Sequence, residues 1–303
     1  MTGVQTCALP IYHASIPEAL AAYEAERKPL VASTQRAAAA SREWFEHLPQ
    51  YLGQEDLQFV FNLLTRSRRI TYDNLRLRDP RFVEEVDRWF AGKVAAEAPA
   101  GTPPMFLPFR LRDLELMNRV VVSPMCQYSA DDGCASEWHT GHLGMLANCG
   151  AGQVILEATH VERHGRITHG CLGLYSDDNE AELARVIAHC RRYGTAKFGV
   201  QLAHAGRKAS SHRPWEGGGA LKIGSDPWET IAPSPIAFGA GWHVPRVATL
   251  EDIARVRDAF VNSAKRAVRI GFDALRGGQR HPLEQPANGL GQVLRPAGFD
   301  ERS

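Results

Sequence analysis

Two stretches decide the fold of this chain: Val120-Val-Val-Ser-Pro-Met-Cys-Gln-Tyr-Ser129 and Gln201-Leu-Ala-His-Ala-Gly-Arg-Lys208. In both regions an apolar run stops at polar side chains that can bind a ligand. A parallel strand has this pattern when its carboxyl end lines a site, because its faces are buried and only its end is open. We therefore predict strands at Arg119–Ser123 and Lys197–Leu202, with a site at their carboxyl ends.

The sequence around these strands alternates between strand and helix patterns. Further strands are predicted at Gln153–Ala158 and Phe272–Leu275, and helices at Trp138–Asn148, at Asn179–Tyr193 and from a capping box of Thr249 and Asp252 to a stop at Gly271. The last helix carries an apolar stripe of Ile253, Val256, Phe260, Ala264, Ala267 and Val268. This alternation implies an α/β fold with a parallel sheet covered by helices. A doubly wound sheet and a TIM barrel both fit, but no G-x-G-x-x-G opens a helix after a strand, which disfavours a dinucleotide-binding fold.

The first hundred residues have helical patterns only. Residues 16–48 predict a long helix, in which Pro17 suits the first turn and Pro29 should bend or split the helix. Two shorter helices are predicted around Asp56–Thr65 and Asp79–Ala91. Residues 92–104 are rich in Ala, Gly and Pro, which predicts a linker between a helical segment at 16–91 and the α/β segment at 105–275.

Composition narrows the class of protein. A net charge of +1 gives no field that would recruit nucleic acid or anionic lipid, so we expect neither partner. No apolar run is long enough to span a bilayer. The six cysteines form no C-x-x-C pair and no regular framework. In a chain of this length they indicate reduced thiols and a cytoplasmic protein.

Both ends of the chain differ from the rest. Residues 1–15 include Thr2-Gly-Val-Gln-Thr-Cys-Ala-Leu-Pro-Ile11, which lacks the basic and apolar regions of a signal peptide. It resembles a translated sequencing-library adapter, and an ordinary disordered terminus is the alternative. In residues 276–303 helical and strand periodicity disappear, and Gly, Pro, Gln and Arg dominate. We expect a disordered tail produced by a frameshift near Leu275.

The strand ends offer groups that suit a flat polar ligand. Pro124 ends the ladder after the first strand, and Cys126 and Tyr128 follow it. Ala158 is small enough to let a planar ring approach, and the Gln201 amide offers both a donor and an acceptor. Simple packing of these residues is the alternative, and His204 fits a satisfied histidine as well as a functional one. His139 and His142 have a metal-ligand spacing with Glu137 nearby, but no further cluster completes a set, so we predict no metal.

Residues 105–275 resemble the N-terminal half of an Old Yellow Enzyme-like NADH:flavin oxidoreductase. The motifs Asn118-Arg-Val-Val-Val-Ser-Pro-Met-Cys-Gln-Tyr-Ser129, Gly165-Arg-Ile-Thr168 and Gln201-Leu-Ala-His-Ala-Gly-Arg-Lys208 carry the resemblance, with Arg213-Pro-Trp-Glu216 in an insert. The resemblance implies an incomplete TIM (β/α)8 barrel of about four βα units. It also implies FMN contacts from Ser123, Pro124, Met125, Cys126, Ala158 and Gln201. Cys126 would adjust the flavin potential, and Tyr128 would touch the substrate.

Residues 16–91 resemble the C-terminal end of an FAD-dependent aromatic hydroxylase, through Leu20-Ala-Ala-Tyr-Glu-Ala-Glu-Arg-Lys-Pro29. The order of the two segments resembles the fused anthraniloyl-CoA or salicylyl-CoA monooxygenase/reductase proteins. FAD would then belong only to the hydroxylase domain of such a parent protein, of which we expect this chain to be an internal piece.

The resemblance implies hydride transfer from NADH or NADPH through FMN to an activated C=C bond. The substrate would be an activated alkene or an aromatic acyl-CoA, and a homo-oligomer is compatible with the pattern. The family follows its fourth strand with a His-x-x-His-Gly-Tyr type segment, whereas Leu275 is followed here by Arg276-Gly-Gly. We therefore expect these 303 residues alone to be inactive, to purify without flavin and to aggregate. The alternatives are a non-catalytic association module or part of an FAD-dependent aromatic-ring monooxygenase.

Overall fold

The computed structural model describes residues 13–95, 99, 101–277 and 293–294. The chain divides into two compact units, residues 1–104 and 105–303, each of which is described by itself. The predicted adapter-derived segment before His13 lies outside the described residues. So does the predicted disordered tail, apart from residues 276–277 and 293–294.

The described part of the first unit contains four α-helices: α1 (Ile16–Glu46), α2 (Asp56–Thr65), α3 (Tyr72–Arg78) and α4 (Pro80–Val94). Three of them begin at side-chain caps, because Ser15, Thr71 and Asp79 accept backbone N–H groups of the first turn. The rings of Trp44 and Tyr51 stack with their centroids 4.8 Å apart. This unit therefore has a small packed centre between its helices.

The helix predictions hold in part. The bounds of α2 are confirmed residue for residue. Pro29 lies inside the continuous helix α1, so the prediction that it splits the helix is wrong. A proline removes only one backbone N–H donor, and the turns before and after Pro29 keep their own hydrogen bonds, so the helix continues. The sequence analysis did not predict α3, because its seven residues offer too few apolar positions to show a helical period. α4 runs to Val94 and so takes in the first three residues of the predicted linker.

The second unit alternates strands and helices. Its elements are β1 (Phe109–Leu111), β2 (Leu114–Leu116), β3 (Val121–Val122), α5 (Glu137–Ala147), β4 (Gln153–His160), α6 (Asp177–Tyr193), β5 (Lys197–Ala203), β6 (Ile231–Ala232), β7 (Arg246–Val247), α7 (Leu250–Ile270), β8 (Ala274–Gly277) and β9 (Val293–Leu294). β1 and β2 form an antiparallel hairpin, and β6 and β7 pair in parallel. Both pairs are too short to give a period-two pattern in the sequence.

The main sheet has the strand order β3-β4-β5-β8, all parallel, with β9 antiparallel at the far edge. α5, α6 and α7 connect its successive parallel strands. A doubly wound sheet reverses its strand order at a switch point, whereas a barrel wall adds strands in one direction. The predicted α/β class is confirmed, and the sheet is consistent with part of a TIM barrel.

The helix-facing side of this sheet holds the main hydrophobic core. Leu156, Phe198 and Val200 of the sheet are in one cluster with Leu183 and Ile187 of α6, all fully buried. A separate cluster joins Leu114 and Leu116 to Ala274, the first residue of β8. The β1–β2 hairpin therefore covers the amino-terminal end of the sheet and leaves the carboxyl ends of the strands open.

Strand bounds depart from the predictions more than helix bounds do. β3 contains only two of the five predicted residues, whereas β4 and β5 continue past their predicted ends and β8 spans Ala274–Gly277. In α7 the capping box and the stop at Gly271 (φ 91°) are confirmed. Ile253 and Val268 are 57% and 49% exposed, so the predicted stripe is wrong at these two positions. Only the turns of α7 that lie on the sheet bury their apolar side chains.

Within the residues that the structure describes, no helix is both long and apolar enough to cross a bilayer.

Candidate functional site

The loop after β3 carries the first group of predicted site residues. Ser123 and Met125 are exposed, and Pro124 and Cys126 are half-buried. Tyr128 has a φ of 53°, in the left-handed region that a tyrosine rarely occupies. The Gln127 N–H donates to Glu157 Oε2 at 2.9 Å, and the Ser136 hydroxyl donates to the carbonyl of Ser129 at 2.8 Å. These two hydrogen bonds hold the left-handed turn between them.

A β-bulge in β4 sets the position of Ala158. Leu156 pairs with Val200 and Ala158 pairs with Gln201, so Glu157 is an extra residue with no partner in β5. Bulges of this kind are over-represented next to active sites, where they redirect a side chain. The extra residue turns Glu157 to the same side as Leu156, towards the helices, and leaves Ala158 beside Gln201.

Gln201 lies on the face of the sheet opposite the helices. Its neighbours Val200 and Leu202 belong to the helix-facing core, and alternation therefore points Gln201 the other way. The residue is 8% exposed, and no hydrogen bond joins its side-chain amide to another described residue. The amide is therefore available to a polar ligand on this face of the sheet.

Cys126 and Tyr128 adjoin this pair. The backbone of Ala158 lies near enough to the Cys126 thiol to favour its ionised form, so the loop after β3 lies beside β4. Burial and the neighbouring Glu157 carboxylate raise the pKa of Cys126 to about 12. Burial and the Cys126 thiol raise the pKa of Tyr128 well above its ordinary value. Both groups are therefore protonated at neutral pH and can donate hydrogen bonds.

Trp215 forms an aromatic wall beside Tyr128. The two rings make an edge contact with centroids 5.8 Å apart, and Trp215 is 66% exposed. It lies in the insert Arg213-Pro-Trp-Glu216 between β5 and β6. Sequence analysis used this insert only for the resemblance and gave Trp215 no role, because its contact with Tyr128 spans 87 residues of sequence.

The structure brings Cys126, Tyr128, Ala158 and Gln201 together at the open end of the sheet. Ser123, Pro124 and Met125 share the loop with Cys126, and Ser123 and Met125 line a small cavity with Ile155, Leu156 and Glu157 of β4. Sequence analysis missed Glu157 as a functional candidate and considered His139 only as a metal ligand. Their burial depends on the bulge and on packing against α5, and neither has a local sequence signal.

The histidines for which the sequence left the role open, His204 and the pair His139 and His142, contact other groups of the protein. His204 Nε2 lies 3.2 Å from Glu162 Oε2, and its Nδ1 accepts the N–H of Gly206. His139 Nδ1 accepts the N–H of Ser136, and the His142 ring is nearly parallel to that of Trp138. Among the described residues no three His, Cys, Asp or Glu side chains converge as a metal site.

A separate cavity lies elsewhere in the second unit. It has a volume of about 860 Å³ and lies between α7 and the loop after β4, lined by Glu162, Tyr175 and several arginines. Arg163, Arg255, Arg266 and Arg269 in its wall are already paired with carboxylates. The cavity is thus a groove over satisfied ion pairs, and we locate the candidate site at Gln201 instead, whose amide has no hydrogen-bond partner among the described residues.

The family of the chain follows from comparison with known proteins. The profile of the NADH:flavin oxidoreductase / NADH oxidase family matches residues 104–276. The chain therefore belongs to this family of FMN-dependent NAD(P)H oxidoreductases. This confirms the family that the motifs around Cys126 and Gln201 predict.

Individual relatives match the same region. An NADH:flavin oxidoreductase of Gibberella zeae is 42% identical over 192 residues, which are 60% of this chain and 46% of that protein. NADPH dehydrogenases of Geobacillus thermodenitrificans and Listeria monocytogenes are 38% and 40% identical over 173 residues, 56% of this chain and 46% of each relative. The chain spans about half the length of these curated relatives. A solved structure of morphinone reductase has a TM-score of 0.49 at 25% identity, covering 58% of this chain and 47% of that one.

The residues present fit the ring of an FMN. A flavin pyrimidine edge needs a donor and an acceptor, and the unpaired Gln201 amide supplies both. Ala158, opposite Gln201 in register, adds no bulk beyond one methyl group on the same face. The Cys126 thiol, held in its protonated form, supplies a weak S–H donor next to them.

The described cysteines are free thiols. Cys126, Cys134, Cys149, Cys171 and Cys190 form no disulfide, and Cys7 lies outside the described residues.

Proposed function

We propose that residues 105–277 form about the first four βα units of a TIM barrel that binds FMN at the carboxyl ends of its strands. The observation that supports this most is the position of Ala158 beside Gln201 and near Cys126, with the Gln201 amide unpaired among the described residues. A barrel enzyme binds its ligands at this end of the strands. Membership of the FMN-dependent family supports the choice of ligand.

Each residue has a distinct role in this proposal. Gln201 binds the polar edge of the ring, and Ala158 lets the ring approach the strand. Ser123, Pro124 and Met125 line the loop side through their backbone. Cys126 stays protonated because of its raised pKa and adjusts the electronics of the ring through a weak S–H hydrogen bond. Bound FMN would supply hydride uptake from NADH or NADPH and hydride delivery to an activated C=C bond.

Tyr128 contacts the substrate in this proposal. Its raised pKa keeps the phenol protonated, so the O–H can donate to a substrate oxygen on which negative charge develops. Trp215 closes one side of the space next to the phenol. A planar activated alkene fits between such groups, because an aromatic wall attracts flat, conjugated molecules.

The wider biological role is also a proposal. The hydroxylase-like motif at Leu20–Pro29 and its position before the barrel segment favour a role in aromatic acyl-CoA degradation, with FAD confined to a hydroxylase domain. The five free thiols are compatible with a cytoplasmic enzyme. Its partners would be small molecules and further copies of the chain.

The test is a titration of FMN and of riboflavin into the 303-residue chain, followed by flavin fluorescence. All of the proposed contacts address the ring, so we expect the two ligands to bind with similar affinity. Gln201→Ala removes the donor and the acceptor of the side-chain amide. It should weaken the affinities for FMN and for riboflavin by about two- to tenfold.

Gln153→Ala is the matched control for this titration. Gln153 is a buried glutamine next to Gly199 at the amino-terminal end of β4, away from the proposed site. Its replacement should leave both affinities unchanged. Absence of saturable binding, or equal losses in the two variants, would contradict the proposal and favour a non-catalytic association module.

A further inference from the structure

Glu157 is a buried carboxylate that the proposed reaction does not use. Its side chain is 3% exposed, and it is the unpaired residue of the bulge in β4. A buried ionisable group is costly unless hydrogen bonds or opposite charges satisfy it. The polar partners of the Glu157 carboxylate therefore indicate its role.

Each carboxylate oxygen of Glu157 faces a different element. Oε2 accepts the backbone N–H of Gln127, the residue between Cys126 and Tyr128, at 2.9 Å. Oε1 lies 3.3 Å from Nε2 of His139 in α5, and the His139 side chain is 1% exposed. Glu157 thus bridges the loop after β3 and the helix that follows it.

The hydrogen bonds of His139 fix the direction of this bridge. Its Nδ1 accepts the Ser136 N–H at 3.0 Å, so the ring hydrogen is on Nε2. This nitrogen and Glu157 Oε1 are in close polar contact without the geometry of a hydrogen bond. The Ser136 hydroxyl donates to the carbonyl of Ser129 at 2.8 Å. The start and the end of the segment Gln127–Ser129 are therefore tied to the same chain of polar groups.

We propose that Glu157, His139 and Ser136 form a positioning clamp that holds Tyr128 in its left-handed conformation and Cys126 against Ala158. Left-handed backbone is unfavourable for a non-glycine residue and persists only where its surroundings determine it. The clamp provides those surroundings, since it fixes the residues on both sides of Tyr128. The contacts of the clamp do not depend on the proposed function. Its purpose does, because we assign it the role of presenting Cys126 and Tyr128 to flavin and substrate.

The first test measures the order of the loop by hydrogen exchange of the Gln127 amide in the full chain. Glu157→Leu removes both oxygens but packs well, and exchange should become at least tenfold faster, because a hydrogen bond to a charged acceptor contributes about 1.5–3 kcal/mol. Glu157→Gln keeps one acceptor and should give an intermediate rate. Circular dichroism shows whether each variant is folded.

The second test measures alkylation of Cys126 by iodoacetamide as a function of pH, read by peptide mass spectrometry. The charged or titratable groups near this thiol are Glu157, Cys171, Lys208 and Tyr128. Loss of the Glu157 charge lowers the pKa of Cys126, so the pH profile should shift to lower pH in Glu157→Gln and in Glu157→Leu. If Glu157 only filled space, Glu157→Gln would fold and would leave the pH profile of Cys126 alkylation unchanged.

Glu162→Gln is the matched control for both tests. Glu162 follows the end of β4, is partly buried and binds His204 and Arg255 instead of the loop. It should retain the Gln127 exchange rate and the Cys126 profile of the wild type. Unchanged exchange in Glu157→Leu, or an unmoved profile in both Glu157 variants, would overturn the clamp. Neither test uses flavin, so failure of the FMN titration would overturn the proposed function and leave the clamp standing.

Discussion

Gly170 occupies a position that only glycine can fill. A Cβ atom there would lie 2.2 Å from the carbonyl oxygen of Tyr128 and 2.7 Å from Nε of Arg213. The Gly170 carbonyl also accepts the N–H of Ala130, so the residue packs against the site loop along its length. The close approach of two backbone segments supports the left-handed turn at Tyr128.

Gly170→Ala should therefore destabilise the second unit by about 1–3 kcal/mol, as overpacking of a dense site does. It should also change the tryptophan fluorescence, because movement of Tyr128 alters its contact with Trp215. Thermal unfolding and emission spectra measure both effects. Gly141→Ala in α5 is the control: nothing lies within 4 Å of a Cβ there, so stability should stay the same or rise.

His160 makes stability depend on pH. Complete burial is the main reason that the pKa of His160 is lowered to about 3, so the folded state keeps the ring neutral in mildly acidic solution. The unfolded state takes up a proton below about pH 6.5. The free energy of unfolding should consequently fall as the pH drops from about 6.5 towards 3, by up to about 1.4 kcal/mol per pH unit.

Urea unfolding between pH 7 and 5 tests this dependence, because most carboxylates stay ionised in that window. The His160→Asn variant retains a donor for the Leu172 carbonyl, which the Nδ1 of His160 contacts at 3.1 Å. It should show a flatter pH dependence than the wild type. Equal slopes for the two proteins would assign the effect to other groups.

At the level of single residues, the sequence singled out three proposed site residues but not the groups that support them. Cys126, Ala158 and Gln201 follow strand patterns that family motifs also mark. Glu157 is buried by a bulge, and the two-residue period of a strand cannot reveal an extra residue. Its partners lie 18 and 30 residues earlier in the chain, on other elements.

At the level of elements, helix ends were predictable because their signals are local. Asp79 before Pro80 and the pair Thr249 and Asp252 are caps that act within one turn, and the structure has both. Strand ends depend on which neighbours pair with them. β3 is two residues long because only Val121 and Val122 find partners in β4.

The capping box of α7 gives a prediction at this scale. The Thr249 hydroxyl accepts the N–H of Asp252, and the Asp252 carboxylate accepts from Thr249 and from Arg246. Thr249→Ala should lower the free energy of unfolding by about 1 kcal/mol, because it leaves a helix donor without a partner. Thr249→Ser keeps the oxygen and should recover most of the loss in chemical denaturation. If Thr249→Ala left the free energy of unfolding unchanged, the cap would make no contribution to stability.

At the level of the whole molecule, the sheet of the second unit has an outer edge at β3. Among the described residues no strand pairs with that edge, and Val121 on it is 42% exposed. A closed barrel has no such edge, and an open one is a template for pairing with another chain. We expect the 303-residue chain to self-associate through β3.

Light scattering over a range of protein concentrations tests this expectation. The apparent mass should rise above the 33.4 kDa of one chain and should fall back in Val121→Lys, since a charge at a strand edge opposes pairing. Val268→Lys introduces the same charge at an exposed position of α7 and should have no such effect. A wild type that stays monomeric at all concentrations would rule out association through the edge.

The extra residue in β4 has a consequence for anyone who alters this protein. Substitutions along the strand exchange one side chain for another and leave the remaining ones where they are. Deletion of Glu157 would instead restore an uninterrupted two-residue repeat, in which Ala158, Thr159 and His160 keep their partners in β5, but the buried carboxylate between the loop after β3 and α5 would be lost. The number of residues in β4 therefore decides whether that carboxylate is present, and a mutant library built here should keep the number constant.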